Sequence, residues 1–196
     1  MQAEFLGGAS QVGSLGMVLG VPGGRLLFDY GITPAKPPEY PRPSPGVASI
    51  FLTHAHVDHS GMVPQAAADS DALVRCSHLT GTVARMLTAD TLKIARNEGY
   101  PQPYGDRELS FFEESIAPLE AGEEAEAGPT VVTAHSAGHI PGAQMYLSDT
   151  GSRTMLFTGD INTRPTGLVD GCRPVKCDVL VMESTYAGRE HEPRRK

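Results

Sequence analysis

The stretch Ile50-Phe51-Leu52-Thr53-His54-Ala55-His56-Val57-Asp58-His59 runs an apolar strand pattern straight into four groups that can bind a metal ion. His54, His56, Asp58 and His59 fall within six residues. Imidazole nitrogen and carboxylate oxygen are ligands that zinc accepts, and three protein ligands plus a water make an open, catalytic site. If the strand's alternation continues, His54 and His56 project to one side and grip the same ion. Asp58 and His59 begin the next turn and face elsewhere, toward a second ion. The competing reading is a polar loop whose histidines meet only solvent. A surface loop seldom packs three His and one Asp behind a buried strand, so the metal reading is the one carried forward.

Further candidates recur in the same layout. His139 lies in the glycine-rich turn Ser136-Ala137-Gly138-His139-Ile140-Pro141-Gly142-Ala143, directly after an apolar strand pattern. Asp160 closes Phe157-Thr158-Gly159-Asp160, again after an apolar strand. A lone His in a turn is more often structural. Ligand candidates repeated at strand ends change that balance, because a rigid scaffold can aim them at one point. His135 has no comparable context and reads as a supporting or surface residue, and His78 as the first residue of a helix. Glu183 ends the apolar run 179–182 and, taken alone, is a carboxylate capping a strand.

The surrounding pattern is short β-rich runs separated by glycine turns. Strands are expected at 15–21, 25–29, 49–53, 130–134, 144–148, 154–158 and 179–182, with Gly23-Gly24 as a hairpin turn. The proline-rich segment 33–46 is expected to cross the surface as a loop. Leu79, Val83, Met86, Leu87 and Ile94 form one helical face, with Ser77 or Thr80 as N-cap. Leu109, Phe112 and Ile116 form another after Asp106 as cap, and a short helix is expected from 60 to about 68. Acidic, alanine-rich 122–128 is expected to be a solvated turn. The class is α/β, with sheets inside and helices outside.

At 196 residues the chain supports one domain with a buried core and not two large ones. No apolar run approaches the ~20 residues a membrane-spanning helix needs, and no secretory signal opens the sequence. Cys76, Cys172 and Cys177 are an odd number with no second thiol pair to complete a zinc site, so they read as reduced structural thiols. From these features a cytoplasmic protein is expected. The net charge of −7 argues mildly against a large nucleic-acid footprint. Two bound zinc ions would add four positive charges where a phosphate must approach, so charge alone does not exclude that substrate.

Together these residues resemble the metallo-β-lactamase superfamily signature, H-x-H-x-D-H followed by a later His and a later Asp. The chain is most similar to the β-CASP ribonucleases within it. Gly7-Gly8-Ala9-Ser10-Gln11-Val12-Gly13 resembles that family's opening glycine turn, and Ala137 to Ala143 its third motif. Leu27-Phe28-Asp29-Tyr30-Gly31 resembles its first motif, whose aspartate supports the metal-site loop. Met182-Glu183-Ser184-Thr185-Tyr186, followed by His191, resembles the approach to the inserted β-CASP domain.

The resemblance implies an αββα sandwich over residues 1–187, with 188–196 starting a β-CASP domain whose remainder, like the last strands of the sandwich, is missing. It implies that His54, His56 and His139 hold a first Zn2+, that Asp58 and His59 hold a second, and that Asp160 bridges both. Asp58 and Glu183 are then the catalytic acids, Glu183 pairing with a His beyond residue 196. The implied function is a zinc-dependent RNA phosphodiesterase, endo- or 5′-exonucleolytic, using a hydroxide activated by two metals. The alternatives are a thioester hydrolase of glyoxalase type or a lactonase, or an inactive fragment that binds metal or RNA. Expected partners are RNA and either a second copy or a separate chain carrying the β-CASP half.

Overall fold

A computed structural model describes residues 1–188. Two sheets lie face to face. The first has six strands in chain order: β1 (Gln2–Gly7), β2 (Gly16–Val21), β3 (Gly24–Tyr30), β4 (Ser49–Phe51), β5 (Leu73–Cys76) and β6 (Ile116–Pro118). β1 to β3 are an antiparallel meander, whereas β3 to β6 run parallel. The parallel crossovers carry all four helices: α1 (Val57–Ser60), α2 (Val63–Ser70), α3 (His78–Glu98) and α4 (Asp106–Ser115). The second sheet holds β7 (Glu124–Ala127), β8 (Thr130–Ser136), β9 (Gln144–Asp149), β10 (Thr154–Phe157) and β11 (Val179–Val181), antiparallel except for β10 against β11.

Period-two alternation splits the first sheet's side chains between two cores. Leu27, Ile50 and Val74 pack under the helices with Val63, Ala84, Leu92 and Phe112. Leu26, Phe28 and Phe51 face the second sheet and meet Val132, Tyr146, Met155 and Phe157. The Phe28 ring lies 5.5 Å from Phe51 and 5.3 Å from Phe157, an aromatic seam between the sheets. Burying such a side chain contributes about 2–3 kcal/mol. A third, smaller core on the outer face of the second sheet joins Ala143, Met145 and Leu156 to Ile140, Cys172 and Val175 of the loops. The layers are therefore helix, sheet, sheet and loop among the described residues: the sandwich that the resemblance implies, with loops where its second helical layer is expected. At its edge β11 leaves Leu180 52% exposed.

Several local expectations need correction. Residues 122–128 are not merely a turn: β7 pairs with β8, burying Ala125 while Glu124 and Glu126 point outward. β1, β5 and β6 were not anticipated, and Ile116 opens β6 instead of extending α4. Ser77 caps α3 as expected, accepting from Thr80 N. Its expected apolar face is split: Val83 and Leu87 pack against the core, whereas Leu79, Met86 and Ile94 are exposed, and the buried positions are Thr80, Gly81, Ala84, Thr88, Leu92 and Ala95. The N-cap of α4 is Gly105, whose N–H is accepted by Glu108 Oε2, while Asp106 pairs with Arg96. The proline-rich segment carries only an isolated bridge between Thr33 and Glu39, as a surface loop should. No described helix is long and apolar enough to cross a membrane. His191 and residues 189–196 lie outside the described residues.

Candidate metal centre

β4 ends at Phe51, two residues short of the expected end, and the reason is chemical. Leu52 N still donates to Arg75 O, but Thr53 N turns to Asp29 Oδ1 at 2.8 Å, and Thr53 O accepts from Gln144 N of the second sheet. Asp29 reaches this position through a β-bulge. Gly16 pairs with Tyr30 and Met17 with Phe28, which leaves Asp29 as the extra residue, at φ 53°. That left-handed conformation is uncommon outside glycine and re-aims the carboxylate inward, where it is fully buried. Its Oδ2 accepts from Thr53 Oγ1 and from His59 Nδ1, each at 2.8 Å. One carboxylate thus ties the start and the end of the His54–His59 loop.

Two glycines allow the close approaches this requires. A Cβ on Gly31 would fall 1.8 Å from the Asp58 carbonyl oxygen, so only glycine lets the end of β3 lie against the start of α1. Gly159, at φ 53°, lies against Thr53, where a Cβ would meet Oγ1 at 2.6 Å. The second pair of candidate side chains arrives from the second sheet. His139 sits in the turn between β8 and β9, closed by Ala137 N to Ala143 O at 3.0 Å, and Asp160 follows β10.

The structure brings these side chains together. His54 and His56 do converge, although through loop geometry and not strand alternation, with His54 Nε2 and His56 Nδ1 3.0 Å apart. His139 Nε2 is 3.5 Å from His56 Nδ1. Ligand atoms of His54, His56, His139 and Asp160 all lie within 4.8 Å of one another, a group that could hold a metal ion. Asp160 divides its two oxygens. Oδ2 faces His139 Nε2 at 3.6 Å and His54 Nε2 at 3.8 Å, whereas Oδ1 faces His59 Nε2 at 3.4 Å. Asp58 Oδ2 stands 3.8 Å from His59 Nε2, beside that second set. Glu183 lies further along the same cleft and accepts from Ile161 N at 3.4 Å, so it also secures the loop after Asp160. His78 begins α3 and His135 lies on β8, and neither joins the cluster.

Electrostatics separates the histidines. Burial holds His54 well below the ordinary imidazole value, helped by the neighbouring His59, His56 and His139. Burial opposes charge on His59 too, but the Asp29 carboxylate, with Asp160, outweighs it and lifts His59 to about 10. His139 is lowered by burial against the pull of Asp160. Burial would raise Asp160, yet its contact with His59 and the surrounding imidazoles bring it below the usual carboxylate value. The cluster lies on one side of a cleft of about 870 Å³, walled by the 8–13 loop, by Thr158 to Asn162 and by Met182 to Tyr186.

A family model described as the Metallo-beta-lactamase superfamily matches residues 11–191. The chain belongs to that superfamily. Over 95% of its length this metallo-beta-lactamase domain is 30% identical to transcription termination factor FttA of Methanocaldococcus jannaschii, covering 31% of that protein. It is 33% identical over 98% of its length to RNase aCSPSF2 of Saccharolobus solfataricus, covering 40% of that protein. The chain spans less than half the length of these relatives. The second of these relatives is named as a ribonuclease, in keeping with the resemblance. Among solved structures it is similar to MEM-A1, a subclass B3 metallo-beta-lactamase from a soil metagenome library. The TM-score is 0.55 at 20% identity, over 84% of this chain and 62% of that one, a likeness that concerns the fold.

Spacing and composition do not announce the roles of the Thr53 hydroxyl, Gly31 and Gly159, and that of Asp29 follows only from the resemblance. One signal was present: an aspartate inside the apolar run Leu26 to Tyr30 needs buried partners.

Proposed function

We propose that the chain is a zinc-dependent RNA phosphodiesterase that works with two ions. The observation that carries this reading is the division of Asp160, one oxygen toward His54 and His139 and the other toward His59. A carboxylate so placed can serve two ions at once. The donor spacing fits zinc: with Zn–N bonds of about 2.0–2.1 Å, the nitrogens of a tetrahedral site lie roughly 3.3 Å apart. The separations of 3.0 and 3.5 Å between the His54, His56 and His139 nitrogens bracket that value. In this reading His54, His56 and His139 hold one ion, Asp58 and His59 hold the other, and Asp160 serves both.

When bound, the ions supply the charge that makes a water nucleophilic near neutral pH and offsets the negative charge of the phosphoryl oxygens. The protein's own residues set where that chemistry occurs. Asp58 is partly exposed at the cleft and can accept a hydrogen bond from the attacking water, fixing its direction. Glu183, lining the same cleft, is placed to hold a proton for the leaving oxygen. RNA is the substrate class that the nuclease relatives favour over a thioester or a lactone.

The test is cleavage of end-labelled RNA by the purified chain with zinc, beside the His54→Ala, His56→Ala double variant. Loss of cleavage in the variant is expected. Internal fragments or single nucleotides among the products distinguish endonucleolytic from 5′-exonucleolytic action, and light scattering decides between one copy and two. An unreactive RNA with the two proteins indistinguishable, or faster hydrolysis of a glutathione thioester, removes the reading.

A further inference from the structure

We infer that the Thr53 hydroxyl is a positioning group that holds His54 as its Nδ1–H tautomer, presenting a bare Nε2 to the metal. This rests on the metal reading above. The argument is a count of hydrogens. Thr53 Oγ1 stands 2.8 Å from Asp29 Oδ2 and 3.0 Å from His54 Nδ1, and it has one hydrogen to give. A carboxylate oxygen can only accept, so that hydrogen goes to Asp29. The hydroxyl lone pair must then accept from His54, which places the imidazole proton on Nδ1. With the proton there, Nε2 carries the lone pair, and Nε2 is the atom 3.0 Å from His56 Nδ1 in the cluster.

The arrangement leaves little freedom. Thr53 is 1% exposed, its N–H is held by Asp29 and its carbonyl by Gln144 N. Gly159 presses on the side chain from the other sheet, a Cβ there falling 2.8 Å from Thr53 Cγ2. Asp29 thereby orders two histidines whose rings lie 4.1 Å apart: His59 directly through Nδ1, and His54 at one remove through Thr53. Hydrogen-bond partners behind metal-binding imidazoles fix ring orientation and tautomer, and losing one costs about 10- to 100-fold in metal affinity.

Thr53→Val removes the hydroxyl but keeps the methyl that packs on Gly159, and Thr53→Ser keeps the hydroxyl and drops the methyl. Two measurements on the full chain separate them. Long-range nitrogen–proton NMR of the metal-free protein reads the His54 tautomer, and competition with a chromophoric chelator reads zinc affinity. A single Nδ1–H form in the wild type, lost in Thr53→Val together with about 10- to 100-fold in affinity and restored in Thr53→Ser, is the expected result. A Thr53→Val protein with wild-type tautomer and affinity overturns the inference, as does a Thr53→Ser protein that behaves like Thr53→Val. Should Thr53→Val not fold, Thr53→Ala takes its place with the same outcomes. A wild type that binds no zinc removes the proposed function, yet the metal-free tautomer still decides the role of Thr53.

Discussion

His59 meets opposing demands: burial resists its charge, while Asp29 and Asp160 favour it strongly enough to lift its pKa to about 10. An unfolded histidine titrates near ~6.5. The folded value is raised, so in the metal-free protein this stabilisation is complete below about pH 6.5 and is lost as pH climbs toward 10. The urea midpoint of metal-free protein should therefore fall between pH 7 and pH 10, and Asp29→Asn should flatten that dependence. An unchanged slope in the variant would assign it to other groups. The same proton opposes metal at His59 Nε2. Affinity for the ion held there should rise about tenfold per pH unit between pH 6.5 and 8.5, with one proton released, measurable by calorimetry in buffers of different ionisation enthalpy. Gly31→Ala probes the backbone beneath. Its Cβ would overlap the Asp58 carbonyl, so the α1 backbone must move. About 1–3 kcal/mol of stability should be lost, with weakened zinc binding at the Asp58 side. Thermal melts and zinc titration of the variant check both parts.

Among the elements, β9 does most to register the two sheets. Tyr146, wholly buried, places its hydroxyl 2.9 Å from Leu52 O, 2.9 Å from Gln144 Oε1 and 3.2 Å from Arg75 O, while Gln144 Nε2 donates to Leu119 O. Leu52 and Thr53 immediately precede His54, so β9 sets the height of the loop that carries the histidines. Tyr146→Phe should keep the aromatic packing but leave one buried acceptor without its donor, at about 1–3 kcal/mol. Chemical denaturation measures the loss, and a change under about 0.5 kcal/mol would show that water or a relaxed Gln144 satisfies the site. Elements with ordinary chemistry were legible in the sequence: the β3, β9 and β10 strands as short apolar runs bounded by glycine turns, and α3 by its Ser77 cap. β7 was not, because Glu-Ala-Glu-Ala has poor strand propensity and is held by pairing with β8. The packed face of α3 is only half legible: Val83 and Leu87 do meet the core, but Gly81 lies close on Ile116 and Cys76, so small residues turn Leu79, Met86 and Ile94 outward. In the candidate site, the ligand types were visible from their spacing. Their orientation was not, since it depends on a bulge at Asp29 that no local pattern announces.

At the scale of the whole molecule, the cluster lies across the seam between the sheets. His54, His56, Asp58 and His59 follow β4 of the first sheet, whereas His139 and Asp160 follow β8 and β10 of the second. An ion held by both sets links layers that otherwise meet through apolar packing and a few hydrogen bonds such as those of Tyr146 and Gln144. Ligand binding to the native state alone stabilises by about 2.7 kcal/mol at a free concentration one hundred times Kd. For a domain of this size each kcal/mol moves Tm by about 2–4 °C, so zinc at that excess should raise Tm by roughly 5–10 °C, and a chelator should reverse the rise. The seam geometry makes a sharper demand. His56→Ala, on the first sheet's side, and His139→Ala, on the second's, each remove one donor of the same group, so both should lose most of the rise. A variant that only weakens packing, such as Met155→Ala, should lower the starting Tm yet keep the zinc increment. If His139→Ala gained as many degrees from zinc as the wild type, the ion would not depend on His139, and within this group only Asp160 would still join the two sheets.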